Sequence, residues 1–154
     1  MKMEYNVQVL RGWPYEGALD RVETIKSGST LSNGDWVVKQ TDGTVDRATT
    51  TKTNRAGLVI RGNGDSGSGA YTSKAVVLWS NFIAQIKNLP SAVTFTPGAE
   101  ITIQWNNVAG AGAAYLALNA GSDPIIGYVL DVNAAVTSGS AQTQQDASVV
   151  VVIR

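Results

Sequence analysis

The sequence predicts an all-β protein, folded as a small β-barrel or β-sandwich. Three observations indicate this class: apolar residues recur mostly at every second position, helix-type spacing is scarce, and 16 glycines are spread among the short apolar runs. The chain has 154 residues, enough for one domain to bury a core without a disulfide bond. Because the chain contains no cysteine, apolar packing must stabilise the fold.

The first half of the chain contains the clearest hairpin signal. An Asn33-Gly34 turn precedes an apolar strand, and an Asp42-Gly43 turn follows it. The partner strand is then Thr44 to Thr50, because β-branched residues suit a pleated surface. Two continuous apolar runs bounded by turn residues predict strands buried on both faces. The strands predicted in this half are Trp36–Gln40, Leu58–Arg61 and Val76–Trp79, with a shorter alternating segment near Tyr5, Val7 and Val9.

The second half contains three further predicted strands and one ambiguous segment. Ile101, Ile103 and Trp105 alternate with polar residues and therefore share one face of a strand. In Asn81–Leu89 the apolar spacing fits either a helix or a strand, and the neighbouring strands favour extended structure. The strands predicted in this half are Ile101–Trp105, Ile126–Val132 and Val149–Ile153.

A weak internal repeat relates the two halves. In each half a turn glycine, Gly34 or Gly98, precedes a strand, and a later strand contains Gly57 or Gly127. A glycine inside a strand indicates a bulge or the close approach of another backbone. Chance similarity between glycine-rich strands is the other explanation. We therefore expect an N-terminal arm or strand at residues 1–29 and a β-barrel domain at residues 30–154, with related lobes at 30–89 and 90–154.

The composition excludes several classes of function. Without histidine or cysteine the chain has no thiol or imidazole catalysis and no Cys/His zinc site, so we predict no enzyme, no cofactor and no metal. Lys plus Arg and Asp plus Glu are both 12, which argues against a nucleic-acid partner. The longest apolar run, Val149–Ile153, is too short to cross a membrane, and the first residues lack a secretory signal pattern.

Charge is concentrated in the first half. Residues 1–77 carry ten Lys or Arg and eight Asp or Glu, whereas residues 78–154 carry two and four. A nearly uncharged surface suits a face held against another subunit. The alternative is a buried β core with an uncharged polar exterior. The first interpretation predicts a homo-oligomer.

The loop Gly62–Gly67 is similar to two functional motifs. It matches the G-x-G-x-x-G pattern of dinucleotide-binding folds, but no helix pattern follows it to face a pyrophosphate. Its Asp65-Ser66 pair resembles the nucleophile turn of trypsin-like serine proteases, which need a histidine base. Lys74 could replace that base, but nothing in the sequence positions it. We therefore expect a mobile loop in which Asp65 and Ser66 can be replaced with little loss of stability.

Paired carboxylates are the remaining enzymatic candidates. Asp42 and Asp46 share the predicted hairpin, and Asp123 and Asp131 flank a later strand. A glycosidase needs two carboxyl groups about 5–10 Å apart in a cleft, and either pair could provide them. A role in forming the Asp-Gly turn explains Asp42 better than catalysis does, and Asp46 fits a solvent-exposed position on a strand. The acidic residues also lack the spacing of a calcium-binding loop.

Aromatic residues provide a candidate contact surface. Trp13 and Tyr15 form a cluster near the N-terminus, and such side chains dominate the binding energy of many interfaces. Trp36, Trp79 and Trp105 lie in predicted strands and are expected in the core.

Several strings resemble a layout found in structural proteins of tailed bacteriophages. In the first half they are Gly34-Asp35-Trp36-Val37-Val38, Ala56-Gly57-Leu58-Val59-Ile60 and Lys74-Ala75-Val76-Val77-Leu78. In the second half they are Pro97-Gly98, Ala113-Ala114-Tyr115-Leu116-Ala117, Ile126-Gly127-Tyr128-Val129-Leu130 and the strand Val149–Ile153. Residues 30–154 are thereby similar to the capsid decoration, or cement, proteins.

The resemblance implies a small β-barrel virion protein that binds the major capsid protein on the capsid exterior and stabilises the shell. It also implies assembly in the host bacterial cytoplasm and no membrane partner. A homotrimer would match the three-fold positions of an icosahedral shell. The alternative functions are a carbohydrate-binding or host-adhesion β-module, and a tail, neck or fibre component of the virion.

The N-terminal segment is the candidate contact with the capsid or with another subunit. Residues 1–25 lie outside the repeat and contain too much apolar surface for a disordered tail. Their mixed charges suit the setting of register on a partner. The alternative makes Tyr5–Leu10 an edge strand of the first barrel. The candidate contact residues are Tyr5, Val7, Val9, Leu10, Trp13 and Tyr15.

Overall fold

The computed structural model describes residues 7–12, 20–48, 56–65, 72–86, 94–106, 113–119, 121, 124–133 and 148–154. Within these residues the chain forms eleven strands and no helix, which confirms the predicted all-β class. The strands are β1 (Val7–Gly12), β2 (Asp20–Thr24), β3 (Trp36–Lys39), β4 (Val45–Arg47), β5 (Gly57–Arg61), β6 (Lys74–Leu78), β7 (Phe82–Ile86), β8 (Glu100–Asn106), β9 (Ala113–Leu118), β10 (Gly127–Asn133) and β11 (Ser148–Ile153).

The strands predicted from apolar runs are all present, with ends that differ by one or two residues. The ambiguous segment Asn81–Leu89 contains strand β7. Along β7 the side chains of Phe82, Ala84 and Ile86 are buried and the two between them are half-buried, which is the period of a strand. Strands β2 and β9 were not expected. β2 has three charged residues among its five, so its sequence lacks an apolar run.

The strands form two antiparallel sheets. One has six strands in the order β1-β7-β11-β10-β8-β9, and the other has five in the order β2-β6-β5-β3-β4. The valine-rich strand β11 lies between β7 and β10, so both of its edges are hydrogen-bonded within the chain. In the part of the chain that is described, no continuous ladder closes either sheet.

The two sheets repeat one topology. If β1 is set aside, each sheet contains five consecutive strands in which the first pairs with the fifth, the fifth with the fourth, the fourth with the second and the second with the third. Strands β2–β6 form the first unit and β7–β11 the second. The units therefore span residues 20–78 and 82–153, so β7 belongs to the second unit although the sequence analysis placed it in the first copy.

The pairing register repeats as well. Val37 lies opposite Gly57 in the first unit, and Ile101 lies opposite Gly127 in the second. Two residues after each glycine the ladder with the last strand shifts, between Val59 and Arg61 and between Val129 and Asp131. A bulge at the same place in both units bends each sheet in the same way.

The turns before the second strand of each unit also match. The amide of Gly34 donates to the carbonyl of Val59 at 2.9 Å, and the amide of Gly98 donates to the carbonyl of Val129 at 2.7 Å. Both glycines have positive φ, at 94° and 84°. Because the left-handed region favours glycine, this turn explains why a glycine precedes the strand in both halves.

Most of the apolar core lies between the two sheets. Trp36, Leu58 and Leu78 of the five-stranded sheet belong to the same buried cluster as Phe82 and Val129 of the six-stranded sheet. Since the two sheets share one cluster, they stabilise each other.

A second cluster covers the other face of the five-stranded sheet. Val37, Val59 and Val77 point to that face and are covered by Leu31 and Ile25. Ile25 also forms a parallel bridge to Val45, which joins the opposite edges of this sheet at one point. The five-stranded sheet is therefore strongly curled, and apolar side chains fill its concave side.

Candidate functional site

The loop that resembles catalytic motifs has a structural role in its described part, residues 62–65, where its side chains form hydrogen bonds with a distant turn. The Asp65 carboxylate accepts hydrogen bonds from the amide of Asn33, at 3.0 and 3.1 Å to its two oxygens, and from the amide of Gly62 at 2.7 Å. The side chain of Asn63 accepts a bond from the amide of Leu31 at 2.8 Å and donates to the carbonyl of Ser29 at 3.0 Å.

These contacts correct the expectation of a mobile loop at residues 62–65. Asp65 joins this loop to the turn that precedes β3, so we expect its replacement to lower the free energy of unfolding. The two segments are also packed too closely for a side chain at Gly62, because a Cβ atom there would lie 2.2 Å from the carbonyl oxygen of Leu31. Ser66 and the rest of the loop lie outside the described residues.

Glu23 is a buried carboxylate on β2 that the sequence analysis did not single out. Its side chain is 5% exposed and accepts bonds from the ammonium of Lys39 and, at 3.1 Å, from the indole N–H of Trp79. Nε of Arg21 lies 3.8 Å from the same carboxylate. A buried charge is tolerated only when it is paired. The Trp79 ring in turn covers Gly57, so this cluster holds the indole against the curled sheet.

The paired carboxylates of the β3–β4 hairpin also have structural roles. Asp42 accepts bonds from the hydroxyl and the amide of Thr44, at 2.7 and 2.9 Å, and these bonds lower its pKa. Asp46 accepts a bond from the Ser29 hydroxyl at 2.7 Å and lies 3.3 Å from the Lys26 ammonium. Partial burial opposes ionisation of Asp46, but the bonds from Ser29 and Arg47 and the charge of Lys26 outweigh it and lower its pKa.

Asp35 differs from Asp42 and Asp46 in that its pKa is raised. Burial raises the pKa of Asp35, and the Ser32 amide and the Arg47 guanidinium oppose this only in part. The amide of Ser32 donates to its carboxylate at 2.8 Å, and Nη2 of Arg47 lies 3.4 Å away. Asp35 thereby ties the turn before β3 to strand β4. Of the second predicted pair, Asp131 is exposed and accepts a bond from the amide of its neighbour Val132, and Asp123 lies outside the described residues.

The candidate contact residues fall into two groups. Val7, Val9 and Leu10 belong to β1, an edge strand whose described partner is β7. Tyr5, Trp13 and Tyr15 lie outside the described residues. The structure thus places residues 7–12 at an edge of the six-stranded sheet, whereas the second interpretation above expected an edge strand of the first barrel.

The sheet edges and three exposed apolar side chains are candidate interaction features of the described residues. The edge strands are β1 and β9 of one sheet and β2 and β4 of the other. Three large apolar side chains are exposed among the described residues: Val22 on β2 at 64%, Ile125 at 52% and Leu130 on β10 at 47%. Since an edge strand presents unpaired amides and carbonyls, it can pair with another chain.

Within the described residues no group of acidic side chains could hold a metal ion, and no helix could span a membrane. Comparison of the chain with models of protein families, with curated proteins and with solved structures finds no match.

Proposed function

We propose that the chain is a non-enzymatic structural protein of a tailed-phage virion that binds the outside of the capsid shell, through the major capsid protein, and stabilises it. The observation that carries the proposal is the strand layout that residues 20–78 and 82–153 share. Its strings resemble those of capsid decoration proteins, and its strands form two units with one topology. A homotrimer assembled in the host bacterial cytoplasm is part of the proposal.

The roles of the polar residues support a binding role over a catalytic one. Three polar side chains form hydrogen bonds with other parts of the same chain and thereby stabilise turns. They are those of Asp65, Asn63 and Asp46. A shell protein acts by burying surface against neighbours, and it needs a stable fold with surfaces that fit them. The low charge of residues 78–154 suits such a surface.

The position of β1 supports the N-terminal segment as the contact. A strand at an edge can contribute to its own sheet on one side and to a partner on the other. The two interpretations of this segment are therefore compatible, because β1 can be an edge strand of the fold and part of the contact.

The proposal is tested with undecorated capsid shells of the virus that encodes the protein. The purified protein is expected to bind shells to saturation and to raise the temperature at which they open. The double variant Trp13→Ala/Tyr15→Ala is expected to lose occupancy while its own melting temperature stays unchanged. Thr41→Ala, which truncates an exposed side chain in the turn between β3 and β4, is the control and should bind like the original protein.

Two outcomes would contradict the proposal. One is an absence of shell binding by the folded protein, and specific binding on a glycan array would then favour the adhesion module. The other is a covalent adduct at Ser66 with a serine-reactive phosphonate, which would indicate a catalytic centre. Normal occupancy by the Trp13→Ala/Tyr15→Ala variant would instead move the contact away from the N-terminal segment.

A further inference from the structure

The two turns that Asp65 joins each contain an asparagine followed by a glycine. The pairs are Asn33-Gly34 and Asn63-Gly64, and the sequence has no other Asn-Gly pair. An asparagine in this position loses its side-chain amide easily, because the nitrogen of the following glycine is unhindered and can attack the side-chain carbonyl carbon. The hydrogen bonds between residues 62–65 and residues 29–33, here called the loop contact, decide whether this reaction can occur.

In the folded structure the reacting groups of Asn63 are held by the other turn. The attacking atom would be the amide nitrogen of Gly64, and that N–H donates to the carbonyl of Leu31 at 2.8 Å. The side chain of Asn63 accepts a bond from the Leu31 amide at 2.8 Å and donates to the Ser29 carbonyl at 3.0 Å. Because both groups have partners across the loop contact, cyclisation requires that the contact opens first.

Asn33 has the same sequence context but different partners. The amide of Gly34 donates to the carbonyl of Val59 on β5 at 2.9 Å, and the Asn33 side chain donates to the Ile60 carbonyl at 2.9 Å. Asn33 is also only 7% exposed. Its reaction requires that the turn separates from β5, which is a larger opening than separation from residues 62–65. Asn33 is therefore an internal reference for Asn63.

We propose that Asn63 is a latent deamidation site, which reacts when the loop contact opens and whose product prevents the contact from closing again. In the first step the Gly64 nitrogen forms a bond to Cγ of Asn63 and the bond from Cγ to Nδ2 breaks. Nδ2 leaves as ammonia and takes the amide proton of Gly64 with it. Water then opens the succinimide ring at either of its two carbonyl carbons, which gives aspartate or isoaspartate at this position. The inference does not depend on the proposed function.

Neither product can restore the loop contact. An aspartate side chain only accepts hydrogen bonds, so the Ser29 carbonyl loses its donor and faces a carboxylate oxygen instead. Isoaspartate inserts an extra carbon atom into the main chain and displaces the Gly64 amide from the Leu31 carbonyl. The new charge also joins existing carboxylates, since burial raises the pKa of Asp35 and the charge of Asp65 adds to that rise.

The first test measures deamidation at both sites by peptide mapping and mass spectrometry. In the urea-unfolded chain we expect Asn33 and Asn63 to react at similar rates, because each precedes a glycine. In the folded protein we expect both to react more slowly and Asn33 to be the slower of the two. An equal rate at Asn63 in folded and unfolded protein would overturn the proposal, and so would a folded protein in which Asn33 reacts as fast as Asn63.

The second test opens the loop contact without changing the reacting atoms. Asp65→Ala removes the acceptor of the Asn33 and Gly62 amides and is expected to raise the folded-state rate at Asn63 by about 5- to 150-fold. Asp131→Ala, at an exposed position, is the control and should leave the rate unchanged. Urea below the unfolding transition opens the contact in the original protein and should also accelerate Asn63. If either treatment leaves the rate unchanged, the loop contact does not control the reaction.

The third test concerns the consequence of the reaction. Asn63→Asp reproduces one product and is expected to unfold at a lower urea concentration than the original protein. Thr94→Asp adds the same charge at an exposed position before β8 and should unfold like the original protein. Equal midpoints for Asn63→Asp and Thr94→Asp would contradict the claim that the product prevents the loop contact from closing.

Discussion

Asp65 illustrates what single polar residues do in this protein. Its two oxygens accept bonds from main-chain amides 32 and 3 positions away along the chain, so one side chain holds two separate turns together. The sequence motif around it suggested chemistry or mobility, and neither expectation takes account of the partner turn. The partner is distant in sequence, so local pattern alone could not identify it.

Replacement of Asp65 by alanine is expected to lower the free energy of unfolding by about 1–3 kcal/mol, because partly buried amides lose their acceptor. Asp131→Ala is the control, since Asp131 is exposed and bonds only to the amide of the next residue. We expect the control to change stability by less than about 0.5 kcal/mol. Urea unfolding of both variants measures the difference, and equal midpoints would contradict the assigned role of Asp65.

The pH dependence of stability should differ in sign between Asp46 and Asp35. The pKa of Asp46 in the folded protein lies below its ordinary value of 3.8, so its contribution is present above pH 3.8 and is lost as the pH falls through the lower folded value. The free energy of unfolding of the original protein should therefore exceed that of Asp46→Asn by less as the pH falls.

The pKa of Asp35 is raised above 3.8, so on acidification the folded state takes up this proton before the unfolded state does. The difference between the original protein and Asp35→Asn should then shift in favour of the original protein as the pH falls. Chemical unfolding at a series of pH values measures both, and parallel curves for the two variants would contradict the assignment.

Strands β5 and β10 show how the elements of this fold meet. Each begins with a glycine, and at each glycine a neighbouring group lies too close for a side chain. A Cβ atom on Gly57 would lie 2.4 Å from Cγ1 of Val77 and 2.9 Å from the Trp79 ring. On Gly127 it would lie 1.9 Å from the carbonyl oxygen of Val152. The predicted close approach of another backbone is confirmed at Gly127, whereas at Gly57 the close neighbours are the side chains of Val77 and Trp79.

Gly127→Ala is expected to destabilise the protein by about 3 kcal/mol or more, because the obstacle is backbone of a central strand and cannot move aside. Gly43→Ala is the matched control. At Gly43 a Cβ would meet nothing within 4 Å, but φ is +85°, so the cost is limited to backbone strain of about 1–2 kcal/mol. Thermal unfolding compares the two. A Gly127→Ala variant as stable as Gly43→Ala would show that β10 and β11 can separate at this point.

At the scale of the whole molecule, the described residues form two five-strand units whose sheets share one apolar cluster, with β1 added to the second unit. β11 is central to this arrangement, because it lies between β7 and β10 and buries Val149, Val151 and Ile153. Its composition at an open edge would promote aggregation, and the fold covers both of its edges.

Deletion of Ser148–Arg154 is therefore expected to give insoluble protein, since β7 and β10 would lose their shared partner and the cluster between the sheets would be exposed. Full-length protein with Val150→Thr, at a half-buried position of the same strand, is the control and should remain soluble. Solubility and gel filtration after expression measure the outcome. A soluble, monomeric truncated chain would contradict the central role of β11.

The sequence by itself determined the all-β class and the position of the strands with apolar runs, and it indicated a weak repeat without fixing its boundaries. These properties depend on period-two alternation, β-branched residues and turn glycines, which act over a few neighbouring positions. Only the tertiary structure decided that β2 is a strand, that β7 starts the second unit, that Asp65 and Glu23 bind distant groups and that the Ile25–Val45 bridge joins the two edges of the five-stranded sheet. Each of these depends on pairing between segments far apart in the chain, and the energy of such pairing comes from partners that local sequence does not specify.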